Sequence, residues 1–161
     1  MAESFIIQKD KSQKEQYDEA LAQLNMLIED ETDVTANLAN IMACLKYGFG
    51  FFWVGVYLVK DEELVLGPFQ GPLACTRIKK GKGVCGVAWE KNQTQLVPNV
   101  DEFPGHIACS SASKSEVVVP IQDTKGNVIG VLDVDSDRLD DFDEADVEGL
   151  ERIAKLIERI L

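Results

Sequence analysis

Cys75, Cys85 and Cys109 stand among cations and hydroxyls. Arg77, Lys79, Lys80 and Lys82 lie between the first two, in "GPLACTRIKKGKGVCG", and His106 and Lys114 flank the third. Ser110, Ser111 and Ser113 follow Cys109 and can donate hydrogen bonds to a thiolate. Neighbouring positive charge lowers a thiol's pKa and raises the fraction of thiolate, the nucleophilic form. The pattern points to redox or nucleophilic thiol chemistry, with the charge nearest Cys75 and Cys85. Glycines at 83 and 86 let backbone approach Cys85 closely. Two other readings use the same residues. The cysteines can simply fill small spaces beside a solvated basic loop, or Cys75, Cys85 and Cys109 with His106 can form a zinc set. Against zinc, no C-x2-C pair occurs, and nine and twenty-three residues separate the cysteines, unlike common structural sites. Cys44 follows Ile41 by three residues beside an apolar stripe and reads as a packing thiol.

A second constellation is acidic. "GVLDVDS" places Asp133 and Asp135 two apart on a predicted strand, so both share a face with Val131, while Leu132 and Val134 take the other. Paired carboxylates repel unless a cation or proton lies between them. A solvated strand end is the plain alternative. Glu116 opens "SEVVVPI" on a neighbouring strand, and the three acids together would make an anionic cup for an ammonium group. Trp53 and Tyr57, four apart, share one face of an earlier strand. They form either ordinary core or an aromatic wall suited to a sulfur-bearing group.

The elements that must position these groups follow from periodicity. Tyr17, Leu21, Leu24 and Leu27/Ile28 mark one amphipathic helix. Leu38, Ile41, Met42 and Leu45 mark a second, with its stop expected at Gly48. "FFWVGVYLV" and "ELVLGPF" read as a hairpin turning at residues 60–62, and "SEVVVPIQD" and "VIGVLDVDS" as another across "TKGN". Between them, residues 70–115 show only short strand-like pieces such as "TQLVPNV". A segment so long is expected to form a lid or pocket wall. Asp143 can cap a last helix carrying Val147, Leu150, Ile153/Ala154, Ile157 and Ile160/Leu161. Hairpins with flanking helices predict an α+β domain, an antiparallel sheet with helices over one face, spanning residues 1–161.

Composition bounds the function. With 161 residues, 45% hydrophobic and 27% charged, the chain is expected to fold around a real core. A net charge of -12 argues against nucleic acid and anionic membrane as partners. No apolar run is long enough to span a bilayer. The start "MAESFIIQKDKSQKEQ" lacks a secretory pattern, which makes a cytoplasmic protein with mostly reduced cysteines the expectation.

On these residues the sequence resembles the free methionine-(R)-sulfoxide reductases, built on the GAF fold. The likeness runs through "FFWVGVYL", "GPFQGPLACTRIKKGKGVCGVAW", "LVPNV", "HIACS", "SEVVVPI" and "GVLDVDS" to the terminal helix. The resemblance implies a central antiparallel sheet between helices, often in a homodimer, and reduction of free L-methionine (R)-S-oxide to methionine with no cofactor. It implies that Cys109 is catalytic, Cys75 the principal resolving cysteine and Cys85 an auxiliary one. Trp53, Tyr57, Glu116, Asp133 and Asp135 would form the substrate pocket. It further implies a Cys109 sulfenic acid, a Cys75–Cys109 disulfide and thioredoxin as the external reductant. On this reading the basic stretch favours a resolving thiolate, and its glycines let the loop move to meet Cys109. The competing function is a GAF module that binds a small ligand and regulates without catalysis.

Overall fold

A computed structural model describes residues 4–161. The order of elements is α1 (Gln13–Leu27), α2 (Val34–Phe49), β1 (Trp53–Lys60), β2 (Glu63–Gln70), β3 (Arg77–Lys79), α3 (Gly83–Lys91), β4 (Gln95–Val97), β5 (Ser115–Gln122), β6 (Val128–Ser136) and α4 (Glu144–Glu158). The six strands make one antiparallel sheet in the order β3-β2-β1-β6-β5-β4. Both expected hairpins are present, and β1 joins them by pairing with β6 at the centre. The first turns on Asp61 and Glu62, both with positive φ, the conformation that matches the twist of a two-residue hairpin. The second turns where Asp123 accepts from the amides of Lys125 and Asn127.

Alternation along the strands builds two cores. On one face, Val54, Val56, Val117, Val119, Ile121, Leu132 and Val134 pack against α1, α2 and α4. On the other, Trp53, Tyr57, Val118 and Val131 pack with Leu64, Ile78 and the α3 residues Val84, Cys85, Ala88 and Trp89. The sheet is therefore covered on both faces, as the resemblance implies, and not on one as the hairpin-and-helix pattern alone predicts. The missed layer is α3.

Glycines account for that miss. Gly83 and Gly86 depress helix propensity, so the sequence reads as a loop. A Cβ on Gly86 would sit 2.5 Å from the Lys79 carbonyl oxygen, so glycine here lets α3 lie against the strand-end backbone. Gly81 and Gly83 take positive φ in the turn that enters the helix. These glycines fix a position; they do not loosen a loop.

Two helix ends also differ from expectation. Helix α2 runs past Gly48 and stops at Gly50, whose φ of 74° makes it the cap. Gly48 is instead a packing site, where a Cβ would fall 2.5 Å from the Phe5 ring. Helix α4 begins at the predicted Asp143 cap, completed by the reciprocal bond that the Asp143 amide donates to the Asp146 carboxylate, but ends at Glu158, which leaves Ile160 and Leu161 beyond it. Its Gly149 accommodates the Tyr17 ring, and the Tyr17 hydroxyl donates to Asp146 at 2.8 Å. Among the described residues, no helix is long and apolar enough to cross a membrane.

Candidate active site

The second face of the sheet opens into a cavity of about 50 Å³. Strand register assembles most of its wall. Asp135 on β6 lies opposite Trp53 on β1 and Glu116 on β5. Asp133 lies opposite Gly55 and Val118, and Tyr57 lies opposite Val131. Alternation thus sends Trp53, Tyr57, Glu116, Asp133 and Asp135 to one side, and all five line the cavity.

The aromatic wall is built by contact and hydrogen bonding. Trp53 stacks on Tyr57 at 6.1 Å and on Phe69 at 5.3 Å. A Cβ on Gly55 would strike the Trp53 ring and Phe69 Cβ, each at 2.5 Å, so the indole lies flat only over glycine. Trp53 Nε1 donates to the Pro72 carbonyl at 3.0 Å, and the Tyr57 hydroxyl to the Cys75 carbonyl at 2.9 Å. Both bonds hold the segment that carries Cys75.

Above the cavity, Cys75 and Cys109 are joined in a disulfide, with Cα atoms 5.3 Å apart. Cys109 lines the cavity, and both cysteines keep partial exposure. The bridge takes two of the four residues proposed for a zinc set and gives the middle segment its closure. Cys44 and Cys85 are free thiols.

Cys85 lies on α3 rather than in a loop, and it is buried. Its place in the first turn favours a thiolate through the helix dipole. Burial opposes this, aided by the fields of Asp133, Glu116 and Asp135, and drives the thiol's pKa well up. The expectation that the basic run lowers the pKa therefore fails at Cys85. Exposed Arg77 pairs with half-buried Glu63 at 3.3 Å, Lys80 sits over the Trp89 ring, and Lys79 is exposed. Of the run, Lys82 alone lines the cavity.

The three acids share the floor. Burial raises the pKa of Glu116 well above its usual value, and the charge on Asp133 adds to the rise. Burial also raises Asp135, with Asp133 adding again, while a hydrogen bond from Ser113 opposes. Asp133 is raised by burial too, but hydrogen bonds from Glu116, Cys85 and Asp135 pull it down. Asp133 is accordingly the member of the cluster best able to hold the negative charge. Its Oδ1 has no hydrogen-bond partner among the described residues.

The serines after Cys109 serve other partners than the expected thiolate. Ser113 donates to Asp135, and Ser110 Oγ accepts from the Ala112 amide. Sequence reasoning also passed over Phe52, Ile78 and Ile107 as cavity walls. No pattern marks Ile107, since it stands outside any strand or helix.

Residues 29–161 match the family model described as GAF domain. The chain is 46% identical over 138 residues to the free methionine-R-sulfoxide reductase of Escherichia coli (strain K12), covering 85% of this chain and 83% of that one. This chain is a GAF-domain protein of the free methionine-R-sulfoxide reductase family. It is also 58% identical to GAF domain-containing protein A of Dictyostelium discoideum, across 98% of this chain and 99% of the relative. Among solved structures, the free methionine-R-sulfoxide reductase from Neisseria meningitidis in complex with its substrate superposes with a TM-score of 0.91 at 53% identity. That likeness covers 94% of this chain and 92% of the other. The GAF assignment agrees with the α+β sheet-and-helix architecture predicted from the hairpins.

Proposed function

We propose that this reductase-family protein converts free L-methionine (R)-S-oxide to L-methionine with thiols as the electron source. The observation that carries the reading is one cavity lined by Cys109, an aromatic wall and three buried acids, with Cys109 already bonded to Cys75. The E. coli and N. meningitidis relatives, named for this activity, support it.

In the proposed cycle the reduced Cys109 thiolate attacks the sulfoxide sulfur. Glu116, kept protonated by burial and by Asp133, gives a proton to the departing oxygen. The oxygen then passes from the substrate sulfur to Cys109 Sγ as the substrate S–O bond and the transient S–S bond break, so that methionine leaves and Cys109 is left as a sulfenic acid. The Cys75 thiol then attacks that sulfur, releasing water and forming the disulfide. Asp133, with Asp135 beside it, holds the α-ammonium, while Trp53 and Tyr57 contact the thioether end. Cys85 stays an auxiliary thiol in this scheme. Thioredoxin as external dithiol, a cytoplasmic setting and a homodimeric state complete the proposal. Partial exposure of the bridge supports attack by a protein dithiol.

The test is turnover of each methionine sulfoxide epimer with dithiothreitol. The (R) form should be consumed and the (S) form spared, and Cys109→Ser should abolish turnover. Full activity in Cys109→Ser would overturn the assignment, and binding without turnover would favour a regulatory GAF module.

A further inference from the structure

The cavity floor carries a donor set that joins two acids of the proposed cycle to Cys85, a thiol that the cycle leaves idle. Cys85 on α3, Glu116 on β5 and Asp133 on β6 each offer one ligand atom, all within 4.8 Å of one another, and all three residues are buried. Cys85 Sγ lies 3.9 Å from Glu116 Oε1. Asp133 is 6% exposed, and its Oδ1 finds no hydrogen-bond partner among the described residues. A buried carboxylate oxygen without a donor is costly until a proton, donor or cation reaches it. The donors sit on a helix and two paired strands, so their spacing is fixed by the fold.

We propose that this floor is a binding site for a zinc-class divalent cation, ligated by Cys85, Glu116 and Asp133. Zinc–sulfur and zinc–oxygen bonds in a tetrahedron set neighbouring donors roughly 3.5 Å apart, so the observed sulfur–oxygen separation needs only a slight closure. Sulfur with two carboxylates selects zinc or cadmium over magnesium and calcium, which take oxygen donors in larger number. The adjoining cavity leaves the fourth position open to water. Binding converts the Cys85 thiol to a thiolate and releases its proton to solvent. The set differs from the Cys3His arrangement weighed from sequence, because Cys75 and Cys109 take no part. A cation here would stand where the proposed cycle puts the substrate's ammonium, but the site itself does not rest on that cycle.

Cadmium is the probe, because each cadmium–thiolate bond adds an ultraviolet charge-transfer band. In Cys44→Ser protein with the Cys75–Cys109 bridge intact, Cys85 is the single free thiol. One equivalent of cadmium should bind with a one-thiolate band, displaced by zinc and unaffected by magnesium. Adding Cys85→Ser should remove the band, and adding Asp133→Asn or Glu116→Gln should weaken binding at least tenfold. Absence of the band in bridged Cys44→Ser protein, or undiminished affinity in both carboxylate variants, would overturn the site. The readout is independent of turnover, so its failure leaves the reductase reading standing.

Discussion

On β6, Leu132 is fully buried in the helix-covered core, while Asp133 faces the cavity from the opposite side of the same strand. Two adjacent substitutions should therefore separate stability from activity. Leu132→Ala removes packed side-chain volume and should cost about 2–5 kcal/mol in chemical unfolding. Asp133→Asn removes a buried charge and should leave the thermal midpoint equal or higher, as often happens when a functional strain is relieved. The same variant should lower kcat/KM for free methionine sulfoxide roughly ten- to a hundredfold, the worth of one charged hydrogen-bonded contact. A large drop in midpoint would show the carboxylate to be structural. The cavity face of these strands was legible because a period of two needs no tertiary knowledge. The role of Ser113 was not, because its bond to Asp135 depends on a loop path that no periodicity records.

At the scale of elements, the hairpins, α1 and α4 were readable from periodicity and caps. Helix α3 was hidden by the feature that allows it to dock. Gly86 reads as a breaker when seen alone, and as a contact only once the Lys79 carbonyl is beside it. Gly86→Ala should thus destabilise despite alanine's higher helix propensity. The clash is with backbone, which yields poorly, so a loss of about 1–3 kcal/mol is expected in denaturant unfolding. Turnover should fall with it, because α3 carries Cys85 and Lys82 precedes it at the cavity edge. A midpoint equal to or above that of the unmodified protein would mean α3 sits further from β3 than described. The basic run illustrates the same limit. Its charge was plain in the sequence, but three of its four side chains point to solvent or to Trp89.

Over the whole molecule, the disulfide closes a 34-residue separation and ties the segment of Cys75 to that of Cys109. Chain-entropy arithmetic for a loop of this length gives about 4 kcal/mol of stabilisation relative to the reduced chain. Calorimetry of the bridged and reduced forms should show the bridged form unfolding at the higher temperature, and equal midpoints would contradict it. The bridge also removes the thiol that the proposed cycle uses as its nucleophile, because Cys109 is bonded to Cys75. That fact imposes an order on the kinetics. The sulfoxide can react only with the reduced enzyme, and the external dithiol only with the bridged one. Double-reciprocal plots against the sulfoxide, at several fixed levels of dithiol, should then be parallel. Intersecting lines would mean that both reactants meet on one form of the enzyme.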